Sequence, residues 1–229
     1  MRTSATRWST AAYLAALVTA ACSGTGGPGA ETTPQPAAGS TAEFEAIYRA
    51  RTDSARMRFT EADVRFMTGM IGHHSQAIAM ARLAPTSGAS PTIQTLAGRV
   101  INAQQDEIAL MQQWLRDRGQ PVPEVHISGT TLTAHGAEHI LHMPGMLTPE
   151  QMQQLEQARG PDFDRLFLTY MIQHHRGAVT MVHDLFNTDG AGQEDVIFKL
   201  ASDVQVDQIT EINRMELMLK ALPGKGGAS

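Results

Sequence analysis

The sequence has little cysteine, little aromatic character and no excess of basic charge, and each shortage excludes a class of protein. Of 229 residues only Cys22 is a cysteine, so no disulfide can form within the chain. Aromatic residues make up 5% and the formal net charge is −5, so nothing resembles the basic surface of a nucleic-acid-binding protein. Methionine and histidine are plentiful instead, with 13 and 9 residues.

The N-terminal 41 residues predict export. Two arginines precede a mostly apolar run of 14 residues, Trp8–Ala21, which is shorter than the roughly 20 residues that span a bilayer. This form is typical of a signal peptide, placed at residues 1–21. The cleavage site resembles the lipobox of bacterial lipoproteins, although Thr19 departs from the usual aliphatic residue. We therefore predict lipidation of Cys22 and a membrane anchor, with plain secretion as the alternative, followed by a flexible tether through residue 41.

A stretch with a doubled histidine occurs twice. Residues 66–81 read FMTGMIGHHSQAIAMA, and residues 167–182 read FLTYMIQHHRGAVTMV, at an offset of 101. A second match follows at an offset of 104, where Gln104, Glu107, Ile108 and Met111 correspond to Gln208, Glu211, Ile212 and Met215. The duplication predicts two copies of one structural unit.

Apolar periodicity and capping residues predict that this unit is a helical hairpin. Helices are expected at about 42–57, 61–83, 91–118, 148–159, 161–186 and 193–222. Hairpin one covers about 60–118, a long connection 119–159, and hairpin two about 160–222. Because each hairpin has an apolar face to cover, we predict an all-α four-helix bundle over 42–222, with a frayed tail at 223–229.

The doubled histidines lie on or beside the predicted core-facing stripes. Adjacent residues diverge by about 100° around a helix, so His73 and His74 are poorly placed to chelate one ion together. Met70 lies one turn before both, and Met171 holds the same place before His174 and His175. Imidazole and thioether donors suit copper, whereas zinc favours thiolate, imidazole or carboxylate ligands.

Two other interpretations stay open. The histidines could be core groups in a metal-free interaction module, hydrogen-bonded to polar residues of the partner helices. The same polar residues could instead orient the histidines toward a metal; they are Gln104, Glu107, Gln208 and Glu211. A dinuclear-metal oxidoreductase is the other alternative, but neither second helix carries the Glu-x-x-His motif of that class. No nucleophile–base pair or phosphate loop occurs, so we do not predict an enzyme.

A second group of histidines and methionines lies in the long connection. If residues 135–143 are helical, three histidines share one face and form a candidate copper site with two methionines. A solvated, histidine-rich loop is the alternative. The candidate residues are His135, His139, His142, Met143 and Met146.

The repeated pattern D-x-x-F-x-x-x-M-I-x-H-H-x-x-A-[IV]-x-M resembles a bacterial secreted family known as domain of unknown function three hundred and five. Met143–Met146 and Gly160-x-x-Phe163-Asp164 also match its middle section. The resemblance implies a ferritin-like bundle and, as in some members, periplasmic copper binding. The implied ligands are Met70, His73, His74, Met80, Met171, His174, His175 and Met181. We therefore expect an exported protein that sequesters or transfers copper in the cell envelope.

Overall fold

The computed structural model describes residues 40–56, 58–135, 140 and 142–223. The predicted signal peptide, Cys22, nearly all of the tether, His139 and the tail beyond residue 223 lie outside these ranges. The described elements are α1 (Thr41–Arg56), α2 (Glu61–Ala81), a 3₁₀ turn (Ala84–Thr86), α3 (Pro91–Asp117), β1 (Glu124–Ser128), β2 (Thr131–His135), α4 (Pro149–Gln157), α5 (Gly160–Phe186) and α6 (Asp195–Ala221).

Side-chain caps set where α2, α3 and α4 begin. Thr60 and Asp63 form a capping box at α2, with the Thr60 hydroxyl accepting from the Asp63 amide and the Asp63 carboxylate accepting from the Thr60 amide. Thr148 and Gln151 repeat this arrangement at α4. Ser90 caps α3, whose first residue is a proline that needs no backbone partner.

The helices form two hairpins, α2–α3 and α5–α6, which pack together through α2 and α5. The start of each of these two helices contacts the other hairpin. Asp63 accepts a hydrogen bond from the Gly192 amide at 2.7 Å, and Asp164 accepts one from the Ser90 amide at 3.1 Å. These contacts make α2 and α5 antiparallel, so the two sequence repeats face each other about a pseudo-twofold axis.

The core of the helical hairpins consists of two apolar clusters at their opposite ends, and a small third cluster contains Ala134 and Ile140 of the connection. Residues before the doubled histidine of α2 share one cluster with residues after that of α5, among them Phe66 and Val182. Residues after the α2 histidines share the other cluster with the beginning of α5, among them Met80 and Phe167. The histidines therefore occupy a polar layer between two apolar half-cores.

The connection between the hairpins contains a small antiparallel sheet, in which Val125 pairs with Ala134. Both strands contact α2, and every residue of α2 from Phe66 to Ala81 is buried. The predicted all-α class is confirmed for the helical hairpins, with this two-stranded sheet as an addition. The ferritin-like detail stays a prediction.

Helix α1 differs from the other long helices in its exposure. Its three large apolar side chains, Phe44, Ile47 and Tyr48, are exposed at 61, 51 and 72%. Among the residues that the structure describes, no helix combines the length and apolar character needed to cross a bilayer.

Candidate functional site

Four histidines meet at the centre of the molecule, where α2 crosses α5. His73, His74, His174 and His175 all have 0% exposed surface. The rings of His73 and His174 are in contact, with centroids 3.8 Å apart and planes tilted by 36°. Sequence neighbours lie farther apart, at 6.2 Å for His73–His74 and 6.3 Å for His174–His175. We call these four residues the histidine layer.

The outer member of each histidine pair is held by a glutamate of its own hairpin. His74 Nε2 lies 2.7 Å from Glu107 Oε2, and His175 Nε2 lies 2.6 Å from Glu211 Oε2. A carboxylate only accepts, so Nε2 carries the hydrogen, and Nδ1 keeps its lone pair whenever the ring is neutral. Neither Nδ1 atom has a hydrogen-bond partner among the described residues.

The inner pair has a different environment in the two repeats. His73 Nε2 donates to the Pro144 carbonyl at 3.0 Å, whereas neither ring nitrogen of His174 has a partner in the described structure. Burial lowers the pKa of His73 well below its ordinary value, and the nearby His74 lowers it further. Burial also lowers the pKa of His174, with His73 the next cause. Both rings are therefore neutral at pH 7.

The two glutamines predicted to contact the histidines behave differently from the glutamates. Gln104 and Gln208 are buried at 2 and 3% exposure. The Nε2 and Oε1 atoms of Gln104 and the Oε1 atom of Gln208 have no hydrogen-bond partner within the described residues. The glutamates thus make the histidine contacts, and the glutamines add unpaired polar atoms to the interior.

The four core methionines proposed as ligands do not come together. Met70 and Met181 lie in one apolar cluster, and Met80 and Met171 in the other. Antiparallel packing explains this division. The residue one turn before the histidines lies toward one end of the molecule in α2 and toward the opposite end in α5. Met70 and Met171 therefore flank the histidine layer from opposite sides.

Within the described residues, no three His, Cys, Asp or Glu side chains form a group that could hold a metal ion. An ion at the histidine layer would need a thioether beside the imidazoles, or a shift of the side chains.

His135 does not have the helical conformation on which the predicted second cluster depended. His135 is the last residue of β2, where it pairs with Glu124, so the interpretation of 135–143 as one helix is wrong at its first residue. His139 lies outside the described residues. His142, Met143 and Met146 instead line a cavity of about 520 Å³, together with Met152 of α4. Met152 was not among the site residues predicted from the sequence.

Three glycines bring this part of the connection onto the helices. A Cβ atom on Gly177 would lie 1.9 Å from the Pro144 carbonyl oxygen, and one on Gly72 2.7 Å from that of Ile140. Gly69 faces Met143. Because these positions are glycines without side chains, the connection lies close enough for the Pro144 carbonyl to reach His73. Glycines on the repeated helices were the available sequence signal for this approach.

The repeated motif and the two helical hairpins agree with a family match at the level of sequence. The family model described as Domain of unknown function (DUF305) matches residues 63–219. The chain belongs to this family. The resemblance seen in the repeated motif is therefore confirmed, while no curated protein matches the chain at a significant level.

Several solved DUF305 structures are similar to this one. A fragment from Deinococcus radiodurans has 29% identity and a TM-score of 0.59, covering 72% of this chain and 99% of its own. A DUF305 protein from Streptomyces coelicolor has 25% identity and a TM-score of 0.58, over 69 and 92%. CopM in a Cu(I)-bound form has 27% identity and a TM-score of 0.53, over 71 and 98%. CopM has also been solved with Cu(II) and with silver.

Proposed function

We propose that this DUF305 protein binds copper at the histidine layer and acts in copper sequestration or transfer rather than in catalysis. The observation that carries the proposal is the arrangement of the imidazoles. Three rings donate Nε2–H to Glu107, Glu211 and the Pro144 carbonyl, leaving Nδ1 unpaired in a buried site. Histidines that bind metals usually have one nitrogen held in this way and present the other to the ion.

The donor types favour copper over other ions. Imidazole binds both oxidation states, and the thioethers that flank the layer favour Cu(I). The described part of the chain offers no thiolate, which a structural zinc site would commonly use. CopM, a relative of similar fold, has been solved with copper and with silver, and these structures support the choice of copper.

Full burial of the four rings favours retention of a bound ion over catalytic turnover of a substrate. All four histidines have 0% exposed surface, so an ion reaches them only if the hairpins or the connection move. A buried polar group without a partner is costly, so filling the unpaired Nδ1 atoms with a metal would stabilise the fold.

Metal titration of the purified protein tests the proposal. Competition with chelators for Cu(I), and calorimetry for Cu(II), should give dissociation constants below roughly 10 µM, a free energy of about −7 kcal/mol. Replacing His74 and His175 with Gln should weaken binding by about 10–100-fold. Replacing the exposed His183 is the matched control and should have no effect.

Absence of binding by the unaltered protein at these concentrations would reject the copper function. It would favour the metal-free interaction module, in which replacing all four core histidines lowers stability and changes no metal uptake. Iron retained on purification, together with oxidase activity, would instead support the dinuclear oxidoreductase.

We further propose that the protein works in the cell envelope, anchored through a lipid on Cys22. The N-terminal sequence pattern supports this location, and the Streptomyces relative is described as secreted. Mass spectrometry of protein from a bacterial membrane fraction should find a lipid on Cys22. A Cys22→Ala variant should be released from the membrane, and its retention there would contradict the anchor.

A further inference from the structure

The cavity beneath the connection gathers three thioethers and an imidazole outside the histidine layer. His142, Met143 and Met146 come from the connection and Met152 from α4. His142 is exposed, Met143 and Met146 are half-buried, and Met152 is 3% exposed. The group therefore extends from solvent into the protein, whereas the histidine layer is closed.

Hydrogen bonds hold one wall of this cavity in place. The Gln76 side chain donates to the Leu147 carbonyl at 3.0 Å and accepts from the Leu147 amide at 2.7 Å. This pair of bonds ties the connection to α2 directly after Met146. The backbone is thereby fixed, while methionine side chains, with three rotatable bonds each, can still adjust.

The chemistry of the cavity selects soft cations. Among the described residues that line it there is no Asp, Glu, Lys or Arg, whereas three thioethers and an imidazole are present. Neutral thioethers are ligands for Cu(I) and, by the same softness, for Ag(I). One imidazole beside them suits the same ions.

Met143 joins this cavity to the interior. It also lines a second cavity of about 350 Å³, which contains Met181. A Cβ atom on Gly69 would lie 2.7 Å from Met143 Cε and 3.4 Å from Met181 Cε, so both side chains lie over the bare helix backbone at this glycine. Met181 shares its apolar cluster with Met70, one turn from the histidines.

We infer that His142, Met143, Met146 and Met152 form a second, solvent-accessible site for a soft monovalent cation, Cu(I) or Ag(I), and that Met143 passes the ion to Met181. The inference rests on the proposed function, for which it supplies a loading site. The ordinary alternative is that these methionines only fill the space under the connection.

Silver is the probe, because Ag(I) is soft and does not change oxidation state in air. NMR of protein carrying ¹³C-labelled methionine methyl groups follows each thioether during titration. The first equivalent should shift the methyl signals of Met143, Met146 and Met152, and further silver should shift those of Met181 and Met70. Unshifted signals from the three cavity methionines through one equivalent would overturn the inference.

Leucine replacements provide an independent measurement, since leucine keeps the volume and removes the sulfur. The triple variant Met143→Leu, Met146→Leu, Met152→Leu should bind silver at least about tenfold more weakly than the unaltered protein. The matched control replaces Met67, Met111 and Met215 with leucine; these lie in the apolar clusters and do not line the cavity, so this variant should bind as before. Equal affinity of the two triple variants would contradict the site.

The outcomes separate this inference from the proposed function. Silver and Cu(I) binding that shifts the methyl signals of Met70 and Met181 but not those of the three cavity methionines would reject the loading site alone. No binding of either ion would reject both. Should the triple variant fail to fold, the methyl shifts of the unaltered protein decide the matter.

Discussion

The ring centroids of His73 and His174 lie 3.8 Å apart, and each ring comes from a different copy of the same sequence repeat. Neither hairpin could build this contact alone, because each supplies one ring. The duplication therefore produces the histidine layer through antiparallel packing of α2 and α5. A pair of polar rings fully removed from water needs compensation, which makes the layer sensitive to protonation, to its acceptors and to the backbone around it.

The stability of the metal-free protein should fall in mild acid. The pKa values of His73 and His174 are lowered in the fold by burial and by His74 and His175, so the unfolded chain binds protons more readily. Stability is thus complete above about pH 6.5, the unfolded value, and declines below it by up to about 1.4 kcal/mol per pH unit for each histidine. Urea unfolding at several pH values in the presence of a chelator measures the slope.

A double variant, His73→Gln with His174→Gln, is the control for that slope. It should be less stable at pH 7 but should lose much of the pH dependence between pH 6.5 and 5. An unchanged slope would assign the acid sensitivity to other groups and contradict the prediction.

The Glu107 carboxylate should contribute measurably to stability through its bond to His74. Glu107→Ala leaves a buried Nε2–H without an acceptor and should cost about 1–3 kcal/mol. Glu107→Gln retains a carbonyl acceptor and should cost less. Glu216→Ala is the control, because it removes only a surface ion pair with Arg176, worth about 0–1 kcal/mol. A loss no larger than in this control would show that the His74 bond is not important for stability.

The sequence predicted the helices from local spacing, and it offered Glu107 and Glu211 among the candidate partners of the histidines from the approximate hairpin register. His74 and Glu107 lie on the two helices of one hairpin, and the register between these helices follows from the position of the predicted turn. The division of Met70 and Met171 between two clusters was not predictable in this way, since it depends on the antiparallel direction of α2 and α5. The Pro144 carbonyl at His73 was missed because it arises from a connection without repeated sequence, placed by contacts with Gly177.

Alanine at two helical glycines should have opposite effects. Gly177→Ala places a methyl group against the Pro144 carbonyl, 1.9 Å away before adjustment, so the connection must move away from His73. We expect a loss of about 1–3 kcal/mol from this overpacking. Gly98→Ala in α3 meets no atom within 4 Å and should stabilise by about 0.4–1 kcal/mol. Urea unfolding compares them, and a neutral Gly177→Ala would mean that the connection is not held at this point.

Asp63 should be more important than an ordinary capping residue because it joins the two hairpins. Its Oδ1 accepts from the buried Gly192 amide at 2.7 Å, while Oδ2 accepts from the Thr60 amide at 2.7 Å. Asp63→Ala removes both acceptors and should cost about 2–4 kcal/mol, the sum of a lost cap and an unsatisfied buried amide. The exposed Asp162, in the first turn of α5, is the matched control, and its replacement should cost less than about 1 kcal/mol. Hydrogen exchange of the Gly192 amide gives a second readout: Asp63→Ala should accelerate it more than global destabilisation alone does. Exchange that tracks global stability would show that the contact between the hairpins does not depend on this carboxylate.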